Sequence, residues 1–212
     1  MTRARRASLL HGIYVIVNES PRVVQVARAA LDSGIRILQY RAKRGIDSAH
    51  LQALRALAAQ CEALLLVNDD WRAALAFGCD GVHLGPGDDG FADLSQVRTA
   101  LGELLVGVSC ADASETRAAE KGDADYVGAG AVFATTSKSD AGAAIGIPGL
   151  RSIAAATRLP VAAIGGITEE NLCDVKASGV AMAATISAVA GAADPAVAAR
   201  RLLRIWNDGE AA

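Results

Sequence analysis

A chain of 212 residues, 52% of them hydrophobic and with a formal net charge of −2, is long enough for one large single-core domain and lacks the basic surplus of a nucleic-acid binder. No apolar run approaches the roughly 18 residues of a membrane span, and the stretch 7–10 behind the basic N-terminus is too brief for a secretory signal. The cysteines, Cys61, Cys79, Cys110 and Cys173, are scattered and include no Cys-x-x-Cys pair, so they read as small core residues of a chain in a reducing cytoplasm.

Residues 1–12 read as a basic extension ahead of the first strand, 13–18, which is nearly all apolar. Pro21 opens a helix to about residue 31, because its fixed φ and missing N–H suit a first turn. Gly34 ends that helix, and 35–40 form the second strand. Asp47 caps an Ala/Leu-rich helix that reaches residue 61. The third strand is 63–68 and the next helix 71–77. Strands four to six fall at 82–84, 104–109 and 125–129, separated by helices at 94–101 and 113–121. Residues 134–147 read as a mobile active-site loop. A helix at 150–157, a strand at 161–164, a helix at 169–177, a strand at 180–186 and a helix from Pro195 to 206 complete the chain.

Strand and helix alternate throughout, and the strands are too apolar for a one-sided sheet. That pattern predicts a parallel sheet covered by helices. Gly34, Gly78, Gly122 and Gly179 each stand just before an even-numbered strand, at near-even spacing with a longer last interval. Eight such units make an α/β fold of the (β/α)8 TIM-barrel type, as a single domain over 1–212. An open doubly wound sheet would not require this regularity, and no Gly-x-Gly-x-x-Gly follows the first strand.

In such a barrel the chemistry sits at the C-terminal strand ends. Strand two ends Gln39-Tyr40-Arg41-Ala42-Lys43, and alternation places Ile35, Ile37, Gln39, Arg41 and Lys43 on one face. Arg41 and Lys43 suit phosphate oxygens, although a chain leaving a sheet also becomes polar. Strands three and four deliver Asn68, Asp69 and, beyond a Gly-Pro-Gly turn, Asp88. Two carboxylates and an amide suit a hard divalent cation such as Mg²⁺, whereas the plainer reading has Asp69 or Asp70 capping the next helix. Strand five ends in Ser109, read as a binding hydroxyl because no His/Asp pairing accompanies it. His83, between Val82 and Leu84, reads as a hydrogen-bonded core histidine. Thr135, Thr136, Ser137 and Lys138 could close over an anion, and a solvated loop would look the same. Gly165 and Gly166 after strand seven, with Ile186 and Ser187 after strand eight, offer backbone N–H groups at the usual phosphate site of this fold. The alternative there is a glycine turn with a Thr168 N-cap, and Glu169 and Glu170 suit a phosphate only if they point away.

These residues together resemble the thiamine-phosphate synthase family, from residue 13 to about 193. Gln39-x-Arg41-x-Lys43 resembles that family's pyrimidine diphosphate-binding strand end. Asn68-Asp69 and Gly-Val-His-Leu-Gly-x-x-Asp88 resemble its magnesium segment. Val106-Gly-Val-Ser109, Thr135-x-Ser137-Lys138, Ile164-Gly-Gly-Ile167 and Ile186-Ser187 match its remaining motifs in order. The departures are Pro86 in place of a usual Gln, Ser137 for Thr, Ala131 for a common Pro, and the Ala143-Ala144 pair for a Pro-rich turn. The related thiazole tautomerases carry a catalytic His where Ala131 stands.

The resemblance implies coupling of 4-amino-2-methyl-5-hydroxymethylpyrimidine diphosphate to 4-methyl-5-(2-phosphoethyl)thiazole, giving thiamine phosphate and diphosphate. It implies Mg²⁺ on Asp69 and Asp88, with Arg41, Lys43 and Lys138 on the diphosphate. Gln39 and Asn68 would orient the pyrimidine, and Ser109 would bond at the reacting end. Thr135, Ser137, Gly165, Gly166, Ile186 and Ser187 would hold the thiazole phosphate. The expected partners are these small molecules, with no nucleic acid or membrane, and a homo-oligomer is left open. A tautomerase-like isomerase and a catalytically silent phosphate-binding barrel are the alternatives.

Overall fold

Every strand of this chain is apolar on both faces because each face meets a different core. The structure, a computed structural model, describes residues 1–135, 137 and 143–209. Helix α1 (Arg3–Ala7) precedes β1 (Gly12–Asn18), and α2 (Val23–Asp32) leads to β2 (Ile37–Arg41). Next come α3 (Ser48–Gln60), β3 (Leu64–Asn68), α4 (Trp71–Ala76), β4 (Gly81–Leu84), α5 (Leu94–Leu101) and β5 (Leu105–Cys110). The second half runs α6 (Ala113–Lys121), β6 (Tyr126–Ala129), α7 (Gly146–Ala155), β7 (Val161–Ile164), α8 (Leu172–Lys176), β8 (Met182–Thr185), α9 (Ser187–Ala190) and α10 (Pro195–Asp208).

The strands are parallel and bond in chain order, and β8 closes on β1 with Gly12 opposite Met182. This is the (β/α)8 barrel read from the alternation. No helix among the described residues is long and apolar enough to cross a membrane. Outward residues such as Val15, Leu38, Leu65 and Val82 pack under the helices. Inward residues, among them Tyr14, Ile37, Leu64, Leu66, Leu105, Tyr126 and Met182, fill the barrel. Helices sit where caps start them: Asp47, Asp70, Asp93, Asp112 and Asp194 each accept a backbone N–H of the following first turn.

The basic N-terminal stretch folds as α1 and brings Leu10 into the interior core. Asp80 and Asp125, buried just ahead of β4 and β6, accept the N–H groups of Leu65 at 3.0 Å and Val106 at 2.7 Å. Their charges are met by Arg6 on Asp80 at 3.0 Å, and by Arg3 at 2.6 Å and Arg98 at 3.0 Å on Asp125. So α1 and α5 neutralise the carboxylates that terminate the sheet at this end.

Several boundaries differ from the sequence reading for local reasons. Pro21 lies in a turn closed by Val23 N–H on the Ser20 carbonyl, and α2 starts only after it. Strand β2 begins at Ile37, so Ile35 joins the outer core rather than the inward face. Helix α7 begins at Gly146, with Pro148 tolerated in its first turn. Thr168 caps nothing: its N–H goes to Asn171 at 2.9 Å, and α8 starts after Asn171. Strand β8 stops at Thr185, because Ile186 already opens α9.

Candidate active site

A cavity of about 470 Å³ opens at the C-terminal ends of the strands. Arg41, Lys43, Asn68, Asp69, Asp88, Ser109, Thr135, Ser137, Gly165, Gly166, Ile186 and Ser187 all line it. Among the described residues, Gln39 is the expected one that does not. Lys138, with 136 and 139–142 of the loop expected at 134–147, lies outside the described residues. Gln39, expected at the mouth, is only 1% exposed in the interior. It sits two residues deeper than Arg41, roughly 6.6 Å along the strand. There it donates to the Tyr14 hydroxyl at 2.6 Å.

The turn after β3 divides the work of its two aspartates. Asp70 accepts the Ala73 N–H at 2.8 Å and caps α4. Asp69, held at φ +68° with its N–H on the His83 carbonyl at 2.9 Å, turns its carboxylate into the cavity. There it meets the Lys43 ammonium at 2.7 Å.

Asp88 arrives by a different device. Its N–H closes a turn on the Gly85 carbonyl at 3.1 Å, with Pro86 second and Gly87 third at φ +87°. Proline and a positive-φ glycine in those places are the type II arrangement, so Pro86 presets the turn. The Gly85 N–H then holds Asp88 Oδ2 at 2.7 Å. Burial pushes the Asp88 carboxyl up to about 6, and the hydrogen-bonded Asp69 carboxyl beside it adds to the rise. The Gly85 N–H and the Lys43 ammonium oppose that rise.

Beside this acidic pair, Arg41 donates to Asn18 Oδ1 at 3.3 Å and keeps its Nε buried without a partner. Asn68 likewise has a buried Nδ2 without one. Such donors are costly to leave unpaired, and here they stand on or beside a cavity wall.

Across the barrel, the Gly165-Gly166 turn is clamped by Asn171, whose Nδ2 donates to the Gly166 carbonyl at 2.8 Å. Sequence reasoning passed over Asn171. Glu169 faces Arg201 at 4.0 Å and Glu170 takes the Thr168 hydroxyl, so local partners account for both carboxylates. No side chain caps α9, which starts at Ser187. On the loop, Thr135 accepts the Ser137 N–H at 3.2 Å.

His83 sits at a place that the sequence reading did not foresee. It is hydrogen-bonded and buried, as expected, but it also lines the cavity. Its Nε2 lies 3.0 Å from Ser109 Oγ and its Nδ1 3.0 Å from the Tyr126 hydroxyl. Ser109 therefore does have a histidine partner, with a tyrosine rather than a carboxylate behind it. The signal was present in the period of two: Gly81 and His83 face inward while Val82 and Leu84 face the helices.

Among the described residues no group of three His, Cys, Asp or Glu side chains could hold a metal ion. The Asp69–Asp88 pair still suits a hard cation. Its carboxyls are close enough to hydrogen-bond, and Mg²⁺ commonly takes one or two carboxylates, with water and substrate phosphate supplying the rest. On the opposite side the glycine turn offers backbone groups without competing carboxylates. One cavity thus joins an acidic and basic wall to a neutral one.

This geometry agrees with the chain's similarity to known proteins. It is 42% identical over 212 residues to a thiamine-phosphate synthase of Anaeromyxobacter dehalogenans, covering 99% of this chain and 94% of that one. It is 43% identical over 195 residues to the thiamine biosynthesis bifunctional protein ThiM/ThiE of Symbiobacterium thermophilum, covering 90% of this chain and 40% of that longer one. The solved thiamine phosphate pyrophosphorylase from Pyrococcus furiosus superposes with a TM-score of 0.83 at 33% identity, over 96% of this chain and 98% of that one. Matched over residues 13–189, the chain belongs to the thiamine monophosphate synthase family (TMP-TENI).

Proposed function

We propose that the acidic and basic wall takes the pyrimidine diphosphate with Mg²⁺, and that the opposite wall takes the thiazole phosphate. The observation that carries this is the sharing of one cavity by Asp69, Asp88, Arg41 and Lys43 on one side and by Gly166 and Ser187 on the other. In the closed barrel β2–β4 lie across from β6–β8, so the two phosphoryl ends enter from opposite sides with the reacting atoms between them. Asp69 and Asp88 would hold the cation, which supplies charge neutralisation on the leaving diphosphate.

The remaining roles belong to the chain itself. Arg41 presents a planar fork to diphosphate oxygens from the cavity wall. Lys43, bound to Asp69 in this structure, lies within reach of the same oxygens. Lys138 is assigned to the diphosphate by family resemblance. Asn68, on the same wall, orients the pyrimidine. Thr135, Ser137 and the backbone at Gly165, Gly166, Ile186 and Ser187 hold the thiazole phosphate. Loss of diphosphate and attack by the thiazole nitrogen need leaving-group stabilisation and alignment more than a base. Ala131 puts only a methyl-bearing residue on the wall where a tautomerase would need a base.

Mixing both substrates with Mg²⁺ and following diphosphate release tests the assignment. Release should require metal, cease with chelator, and nearly vanish in Asp69→Ala and Asp88→Ala. Full activity in metal-free buffer overturns the metal role, and no release under any condition leaves a silent binding barrel.

A further inference from the structure

Beneath the cavity runs an unbroken chain of side-chain hydrogen bonds. Gln39 Nε2 donates to the Tyr14 hydroxyl at 2.6 Å, which lies 3.0 Å from the Tyr126 hydroxyl. Tyr126 meets His83 Nδ1 at 3.0 Å, and His83 Nε2 meets Ser109 Oγ at 3.0 Å. The chain crosses the barrel from β2 through β1 and β6 to β4 and β5. Space is made for it: a Cβ on Gly107 would stand 2.0 Å from the Tyr126 ring, and one on Gly128 would stand 2.9 Å from His83.

Resting on the proposed function above, we propose that Gln39, Tyr14, Tyr126 and His83 are positioning residues that fix Ser109 as a hydrogen-bond donor into the cavity. Counting hydrogens gives the direction. Burial keeps both phenols protonated, so each has one hydrogen to give. Tyr14 already accepts from the Gln39 amide, so its own hydrogen goes to Tyr126. Tyr126 then passes its hydrogen to His83 Nδ1. A neutral imidazole that accepts at Nδ1 carries its hydrogen on Nε2, and donates it to Ser109. The hydroxyl hydrogen of Ser109 is left to point into the cavity. With the Gln39 amide in this orientation, the reverse direction would leave the Tyr14 hydrogen facing an NH₂ group, which cannot accept it. An unsatisfied buried hydroxyl of that kind is costly. The turned amide would accept that hydrogen through Oε1, which has no partner among the described residues, and the His83 tautomer distinguishes the two. Gln39, off the cavity wall, thus acts on the reacting end from across the barrel. Ser109 on this account is a donor to substrate and not a nucleophile activated by His83.

Nitrogen-15 NMR of the histidines in the substrate-free protein tests the direction, with the His83 signals assigned by their loss in His83→Gln. Neutral His83 should carry its proton on Nε2, and Tyr126→Phe should weaken that preference. In the coupled assay Tyr126→Phe and Tyr14→Phe should each lower kcat about tenfold and move KM for either substrate less than twofold. Combined with Ser109→Ala, Tyr126→Phe should lower kcat no further. A neutral His83 protonated on Nδ1 overturns the direction. An unchanged kcat in Tyr126→Phe, or an equal loss in the Ser109→Ala background, overturns the relay. The NMR result stands without turnover, so a failure of the proposed reaction is read separately.

Discussion

Asp88 is where a single residue states the character of the site. Its carboxyl rises from 3.8 to about 6 in the fold, through burial and then Asp69. Between those values the folded chain binds more protons than the unfolded one. Metal-free stability contributed by this group is therefore highest below the unfolded value and is lost as pH rises through about 6. Asp88→Asn removes the titration. The melting temperature of the wild type relative to Asp88→Asn should fall between pH 4 and pH 7 and then level off, and a flat difference would show that the fold does not raise the Asp88 carboxyl. At the other wall, Ser187→Asp should raise KM for the thiazole phosphate roughly tenfold, about 1.4 kcal/mol, and leave the pyrimidine diphosphate unaffected. Calorimetry with each ligand checks this.

The elements show what a sequence can and cannot declare. Asp47 and the limits of α5 and α6 were legible because caps and apolar spacing are local signals. Asp69 and Asp70 were not separable, since both are short acids at a strand end and only the turn's φ angles turn one inward. Their roles predict opposite phenotypes. Asp70→Ala should cost about 1 kcal/mol by urea melting with turnover kept, whereas Asp69→Ala should do the reverse. Gln39 was placed one layer too high, and the cavity-lining position of His83 was not foreseen, because the depth at which the interior becomes a cavity depends on how eight strands pack together. Helix α1 was missed for a related reason. Five residues make no stable helix alone, and this one exists through its ion pairs to Asp80, Asp123 and Asp125. Arg6→Ala strands a buried Asp80 and should cost about 3–5 kcal/mol in urea while leaving KM for both substrates unchanged.

At the scale of the molecule, closure leaves no strand among the described residues with a free edge. A defect inside the barrel is therefore shared by every strand. Leu64→Ala, in a fully buried interior position, should lose about 2–5 kcal/mol. Unfolding should remain one transition, with far-UV dichroism and the fluorescence of Trp71 and Trp206 coinciding. Separate transitions for the two signals would mean that the halves of the barrel melt independently.

The ion pairs around Asp80 and Asp125 sit at one end of the strands and the cavity at the other. Many enzymes cannot gain heat tolerance without losing rate, because the strained site is also the weak point. In this barrel the two demands fall on different residues. A lineage moving to hotter growth can rewrite α1 and the approaches to β4 and β6 while its mouth stays unaltered. Substitutions selected at high temperature should collect there, and their carriers should keep kcat at a common temperature.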